Sequence, residues 1–522
     1  MSNKKNILVV PKYILSIDSG GSNLRALLFD KEAKIVAKEK IYTPWISPIS
    51  GAQEHDPIML FDALVTVVKN LLRKRKIDPK EIVALSITNQ RASFLLWEKN
   101  TGKPITNLIS WADVRAASTC EEMNNDKRWR AIKSVAALLY KISRSPIMLT
   151  TRLLHFTTDH ASTRLKWILD ITPNLRERCK AGEVLFGTLD SWFIYNLTKG
   201  EKHLSDISNA AASSLFNPFS LKWNSILCNL FDIPLSIFPT VIDCDGDFGK
   251  CHQSFFNHAI PIRGIIGDQM GALFGHCCFD SGDVKISGGS GAFVDLNVGD
   301  KPKVSKNGLF PLVAWSLSGK IHYMLEGYVA TAGTFIDWLD KEFEIAKNGH
   351  ELDKLASKVQ DSGGLFIIPA ANGLRYPYFN PSARAAIFGL SLSTKKSHLA
   401  LATLEGIGLR IIDIIKGMEK DTKIPIKAIK VDGGLSNSDV LIQTISDNLG
   451  QEILRSQEND MAATGAAYIA GLATSFYKDL EQLKQLSPNY HCFCPKITPS
   501  QRTKKINNWK NAIKSLKTLR IS

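Results

Sequence analysis

The chain has no CxxC pair, no Walker A sequence of the form GxxxxGK[ST], no GxGxxG fingerprint and no apolar run approaching the length of a membrane span. Each absence removes a class of protein. The nine cysteines, at 120, 179, 228, 244, 251, 277, 278, 492 and 494, are odd in number and scattered, so neither a disulfide framework nor a zinc module of familiar spacing is indicated, and a reducing compartment fits. His491-Cys492-Phe493-Cys494 offers soft ligands, but at a spacing unlike the usual zinc sites. No transmembrane segment is expected without a long apolar stretch. The amino terminus, MSNKKNILVVPK, lacks a signal peptide's h-region and cleavage site, which predicts a cytoplasmic protein. Charge is unbalanced, 65 Lys and Arg against 50 Asp and Glu, for a net +15. A basic chain attracts acidic ligands. The basic residues are nevertheless spread out and not interleaved with aromatics, so a nucleic-acid partner is not expected.

At 522 residues, 44% hydrophobic and 22% charged, the composition is globular and the chain too long for one core. Two domains, or three, are expected. The most informative stretch is 264 to 293, GIIGDQMGALFGHCCFDSGDVKISGGSGAF. Asp268 and Gln269 follow the strand-like run Ile262 to Ile266 and precede an Ala/Leu/Phe helical segment, the junction where open α/β sheets bind ligands. Ser287-Gly288-Gly289-Ser290-Gly291 then interrupts two strand-like runs, and glycines there let backbone N–H groups converge on an anion. A carboxylate base beside a phosphate cradle points to phosphoryl transfer. The same tetrapeptide occurs earlier, as Ser19-Gly20-Gly21-Ser22 after Asp18, again between apolar runs that read as a hairpin. Two such hairpins point to two domains of related topology, each offering a backbone loop to one ligand. Two ordinary glycine turns are the plain alternative.

Asp56-Pro57 reads as the N-cap and first position of an amphipathic helix running to about Arg73. A strand, Ile82 to Ile87, delivers Asn89-Gln90-Arg91 to its carboxyl end, and Trp111 with Asp113 and Arg115 follows another apolar run. A tryptophan beside polar groups can hold the carbon face of a polyol, although most tryptophans are core residues. Residues 124 to 156 are basic and apolar together and read as an amphipathic helix, packed on the first domain or offered to a protein partner or membrane. Gly333-Thr334 opens a helix ending near Phe343, and Ser397 to Met418 reads as the main buried helix of the second domain. Ala428 to Val431, Asp432-Gly433-Gly434 and Ser438 to Leu449 read as strand, turn and helix, where a nucleotide can rest. Beyond Tyr477 the chain is polar and basic.

With IDSGGSNLRALLFD, QEHDP, ITNQR, WEKNTGKPI, GDQMGALFG, TAGTFIDWL, VDGG and ATGAAYIAGLA in place from about Ile14 to Phe476, the sequence resembles the FGGY carbohydrate kinases, in particular the glycerol kinase branch. NQRASF, ISWADVR, FGTLDSWFIYNLTKG and the enlarged segment before TRLKWIL resemble a divergent member of that branch. The resemblance implies an α/β, two-domain actin-like ATPase (ribonuclease H-like) fold with an interdomain catalytic cleft. The domains expected are 12–276 and 277–476, after a tail at 1–11 and before a basic extension at 477–522. ATP and Mg²⁺ are the implied cofactors. Asp268 is implied as general base, and Asp18 with Asp268 as metal ligands. Gly21, Ser22, Asn23 and Arg25 would lie along the transferred phosphate, Ser290 and Gly291 would receive the others, Gly333 and Asp337 would flank the nucleotide, and Gly434 and Ser438 its ribose or base. A small polyol would meet Arg91, Trp111, Asp268, Gln269 and Phe293.

Two departures from that branch concern the substrate. Ala92 stands where glycerol kinases usually carry Glu, and a substrate tyrosine is replaced near Asp159. Three readings follow: a polyol kinase making glycerol 3-phosphate; a weakly active or inactive nucleotide-binding protein acting through partners; an actin-like chaperone or structural ATPase. The retention of Asp18, Asp268 and Gln269 favours the first. Oligomeric state, homo-oligomer included, is left open by the sequence.

Overall fold

The computed structural model describes residues 11–518, so the expected amino-terminal tail lies, but for Pro11, outside the described residues. Two compact units divide the chain. The first comprises the chain up to Cys277, Leu312–His322 and Ala462–Ser487; the second comprises Cys278–Pro311, Tyr323–Met461 and everything from Pro488. The polypeptide therefore returns to the first unit twice, instead of changing domain once near residue 277.

In the first unit, Asn23–Phe29 pairs antiparallel with Tyr13–Ser19, and Ile35–Tyr42 extends that side; Ile82–Asn89 and Ile262–Gly267 add in parallel on the other. Parallel strands buried on both faces read as near-continuous apolar runs, as YILSIDS does. Alternate side chains leave it in opposite directions. Leu15 and Ile17 enter a core with Leu60, Leu64 and Val67 of the helix Pro57–Arg75, whereas Ile14 packs with Ala463, Ala467 and Ala470 of the helix Met461–Ala473. Asp56 caps the first of these helices, accepting from the Ile58 and Met59 N–H groups. Small residues let the second lie close. A Cβ on Gly465 would stand 1.9 Å from the Gly271 carbonyl oxygen. That contact explains why ATGAAYIAGLA is rich in alanine and glycine, and why the segment belongs to the first unit.

The second unit repeats the order and sense of the first. Val284–Gly288 takes Ala292–Gly299 antiparallel on one side, with Lys320–Val329 beyond it, and Ile429–Asp432 and Ile453–Ser456 parallel on the other. Tyr490–Phe493 adds antiparallel at the edge beyond Ile453–Ser456. The helix Lys396–Thr422 is buried nearly all round over its central turns, as its apolar sequence requires.

The basic stretch 124–156 forms two helices, Lys127–Ser143 and Pro146–Leu153, not one. Arg144 takes a left-handed φ of 53° and Pro146 starts the next helix, which ends the first. Trp129 and Ala136 face inward, while Val135, Leu138, Leu139 and Ile142 are exposed. Among the described residues no helix is long and apolar enough to cross a membrane.

Candidate active site

Three neighbouring parallel strands of the first unit finish along one edge, with Asp18 level with Thr88 and Gly267 level with Asn89. Asp18 and the residue after Gly267, Asp268, thus sit at carboxyl ends with one strand between them, roughly 10 Å of sheet. Asp18 is 3% exposed and accepts from Arg25 Nη2 at 2.7 Å, its register partner on the hairpin. Asp268 opens the helix Asp268–Gly275, where the N-terminal dipole favours a carboxylate. Its Oδ1 accepts from the Gln269 N–H at 2.7 Å and faces Arg91 Nε at 3.2 Å, and its side chain remains 28% exposed. Gly267 makes room for that pair, since a Cβ there would fall 2.8 Å from Arg91 Cγ. Trp111 is 42% exposed; its backbone N–H donates to Ser93 Oγ, which donates to Gln90 Oε1, each at 3.1 Å. The backbone of Trp111 is therefore tied to the turn that carries Arg91.

A buried polar network behind this edge sets its geometry. The Gly267 N–H donates to Ser208 Oγ at 2.8 Å, and the Asn89 and Asn209 amides exchange hydrogen bonds at 3.0 and 3.2 Å. Asp206 holds the short helix that supplies both partners, accepting from the Ser208 N–H, the Asn209 N–H and Asn209 Nδ2. Beside it Asp190 accepts from Thr188 and Ser205. Burial, reinforced by Asp206, pushes the Asp190 carboxyl up to about 7. Because that value lies above the ordinary unfolded one near 3.9, Asp190 contributes stability that is fully present below the unfolded value and lost as pH rises through about 7. Asp190→Asn should remove this loss, so the variant gains on the wild type by on the order of 2 kcal/mol between pH 5 and pH 8. Urea unfolding at the two pH values measures it, and parallel curves for the two proteins would show that the Asp190 carboxyl is not raised.

Arg164 is the residue that sequence reasoning missed. It lies in TRLKWIL, on the helix Ala161–Ile171, and is fully buried, its guanidinium donating to the carbonyls of Thr158, Ile109, Ser110, Ala92 and Asp159. Burial pushes its pKa down to about 10. One side chain thus ties together the backbones of Ala92, Asp159 and the residue just before Trp111. Arg164→Met should cost about 3 kcal/mol or more, because several buried carbonyls lose their donor at once. A denaturation midpoint within experimental error of the wild type would show that water replaces the guanidinium.

In the second unit, the turn Ser287–Gly291 is braced from two sides. The Gly333 N–H donates to the Gly289 carbonyl at 3.1 Å and the Ala332 N–H to the Ser290 carbonyl at 3.0 Å, which seats the helix Gly333–Phe343 on the turn. A Cβ on Gly333 would meet the Gly289 carbonyl oxygen at 2.4 Å, and one on Gly433, at φ 82°, would meet the Gly288 carbonyl oxygen at the same distance. Those two glycines are demanded by packing. Gly289 and Gly434 differ, for a Cβ on either has nothing within 4 Å. Open space beside an uncluttered backbone is what an incoming phosphate needs. Asp337 is exposed one turn into the helix, and Phe293 stacks on Tyr328 at 5.6 Å.

Two family models match the chain. The model described as "FGGY family of carbohydrate kinases, N-terminal domain" matches residues 13–275, and the C-terminal domain model matches 284–474. The chain belongs to the FGGY family of carbohydrate kinases. It is 39% identical to Glycerol kinase 5 of Danio rerio over 94% of this chain and 93% of that one, and 37% identical to Glycerol kinase 2 of Thermotoga maritima over 96% and 98%. The structure of a glycerol kinase from Plasmodium falciparum with ADP is similar at a TM-score of 0.88 and 27% identity, covering 98% of this chain and 99% of that one. A xylulose kinase from Lactobacillus acidophilus, at 0.81 and 22% identity over 96% and 97%, shares the fold.

In this FGGY kinase the sequence-predicted residues fall into two sets. Asp18, Arg25, Arg91, Trp111, Asp268 and Gln269 belong to the first unit, together with Gly21, Ser22 and Asn23 on the hairpin turn; Ser290, Gly291, Phe293, Gly333, Asp337, Gly434 and Ser438 belong to the second. Gly21 is packed, since a Cβ there would come within 2.9 Å of the Trp45 ring. Ser438 is committed structurally. As N-cap of the helix Asp439–Leu449 its hydroxyl accepts from the Leu441 N–H and bonds the Asp353 carboxylate, so it offers a nucleotide its backbone more readily than its hydroxyl. Ala92 sits at 8% exposure with a left-handed φ of 58°. Its methyl offers no hydrogen-bond acceptor.

Proposed function

We propose that this chain transfers the γ-phosphoryl group of ATP to a hydroxyl of glycerol, or of a closely related small polyol, giving glycerol 3-phosphate. The Arg91–Asp268 pair at the carboxyl edge of the first unit's sheet carries the reading, supported by the glycerol kinase relatives. An alcohol is a weak nucleophile at neutral pH, so a fixed carboxylate must accept its proton as the O–P bond forms and the bond to the ADP oxygen breaks. Asp268 suits that role, partly exposed at a helix start and held in orientation by Arg91 and the Gln269 N–H. Trp111 would cover the carbon face of the polyol. The turn Ser287–Gly291, with Gly333, Asp337, Gly434 and Ser438, is assigned to the nucleotide, and Gly21, Ser22, Asn23 and Arg25 to the transferred phosphate. Asp18 and Asp268 present carboxylate oxygens, the hard donors that Mg²⁺ takes, and the exposure of Asp268 leaves room for a hydrated ion. These two would hold it, and its charge would offset that of the phosphates. The test is a screen of polyols and sugars with Mg-ATP, reading ADP release; turnover on none of them would defeat the proposal.

One observation favours a second reading, in which the pocket serves a different substrate or the chain acts through partners such as one docked on Val135, Leu138, Leu139 and Ile142. It is the apolar Ala92, beside a backbone already locked by Arg164. Ala92→Glu should lower the KM for glycerol by about tenfold, since a hydrogen bond to a charged group contributes about 1.5 to 3 kcal/mol. Unchanged glycerol turnover, with loss of activity on another compound, would assign the pocket to that compound.

A further inference from the structure

Of the nine cysteines, Cys492 and Cys494 are exposed, and Cys120, Cys179, Cys228, Cys244, Cys251, Cys277 and Cys278 are buried. The exposed two stand at the end of the edge strand Tyr490–Phe493, whose Cys492 is level with Leu454 of Ile453–Ser456. Side chains alternate along a strand, so the two thiols share one side while Phe493 turns inward, 7% exposed. Their sulfurs are 3.8 Å apart. Glu452, just before the neighbouring strand, places Oε1 3.8 Å from Cys494 Sγ, and the three ligand atoms all lie within 4.8 Å of one another. Two thiolates held tetrahedrally at about 2.3 Å from one zinc ion stand roughly 3.8 Å apart, and a thiolate and a carboxylate oxygen somewhat less. The three groups already form one face of such a tetrahedron.

We propose that Cys492, Cys494 and Glu452 bind one thiophilic divalent cation of the Zn²⁺ class, with water in the fourth position. The ligand set selects the ion: two sulfurs and one carboxylate favour Zn²⁺ or Cd²⁺ over Mg²⁺ or Ca²⁺. The first two ligands belong to the last strand and its exit, the third to the residue just before the adjoining strand, so the ion clips the sheet edge on which the terminal helix follows. On binding, each thiol gives its proton to solvent and each sulfur donates a lone pair to the metal, with no oxidant or reductant involved. The site lies in the second unit, on residues not assigned to phosphoryl transfer, and is independent of the kinase reading.

The burial pattern supplies a clean test on the full chain, stripped with chelator and probed with Zn²⁺ alone. A disulfide-exchange reagent should modify two thiols in the native metal-free protein, and one equivalent of Zn²⁺ should slow both by tenfold or more. Cd²⁺ should give a thiolate-to-metal charge-transfer band in the ultraviolet with one ion per chain. Cys492→Ser with Cys494→Ser should abolish the band, and Glu452→Gln should weaken binding by at least roughly tenfold, the scale seen even for outer-shell changes. All three residues are exposed, so the variants should fold. The proposal is overturned if Zn²⁺ leaves the two thiols equally reactive, if the double serine variant binds Cd²⁺ as the wild type does, or if one ion is bound per two chains.

Discussion

Asp268→Asn should reduce phosphoryl transfer by about a thousandfold, near the middle of what a positioned general base contributes, while ATP binding stays within about twofold of wild type. The amide preserves what the structure shows around the carboxylate: its oxygen can still accept from the Gln269 N–H at 2.7 Å and face Arg91 Nε at 3.2 Å. What it cannot do is take the proton of the attacking hydroxyl. The change therefore removes the charge while keeping the shape, and about 4 kcal/mol of barrier would be assigned to the lost base and the lost metal ligand together. Asp268→Ala is the contrasting variant, because it also removes the carboxylate that orients Arg91. Single-turnover rates, together with nucleotide affinity measured directly, separate the two effects. If Asp268→Asn turns over at the wild-type rate, another group accepts the proton and Asp268 only orients the site.

Gly289→Val should weaken ATP binding by about ten- to a hundredfold, with little change in thermal stability. The turn's glycines divide by what surrounds them. At Gly333 and Gly433 a Cβ would stand 2.4 Å from a neighbouring carbonyl oxygen, so substitution there disturbs the fold. At Gly289 nothing stands within 4 Å and the backbone is not left-handed, so a valine can be built without strain. Its branched side chain would instead occupy the space beside the backbone N–H groups. Losing one hydrogen bond from such a group to a charged phosphate costs about 1.5 to 3 kcal/mol, which sets the expected range. Calorimetry with ATP and thermal unfolding of the same sample decide the matter. A large fall in the unfolding midpoint, or an equal loss of affinity for polyol and nucleotide, would show general damage to the turn.

The paired Ser-Gly-Gly-Ser hairpins, the strand-to-helix position of Asp268 and the strand ending at Asn89 were legible because each depends on local chemistry: apolar alternation, turn residues and a helix start within a dozen positions. The related topology of the two units follows from the same repeat, and the sheets do share strand order and sense. The family resemblance covered nearly the whole chain, and the family is as expected. Other features could not be read locally. The helix Lys127–Ser143 ends at Arg144 because of one left-handed residue and a following proline, where continuous amphipathic composition read as a single helix. Asp190 and Asp206 look like solvated acids in sequence, yet both are buried.

By itself, then, the sequence determined the α/β class, the duplicated hairpin, the candidate base and the glycine turn, since periodicity and turn chemistry act between near neighbours. Tertiary structure alone decided which unit claims Leu312–His322 and Ala462–Ser487, because that depends on small residues such as Gly465 meeting Gly271 far along the chain. It also decided that Arg164 is interior, bonding five carbonyls drawn from separate loops. And it decided that Glu452 stands beside Cys494, across a strand pairing that no local pattern encodes. The physical reason is common to all three: burial and ligand geometry are properties of groups distant in sequence, and they exist only once the chain has closed on itself.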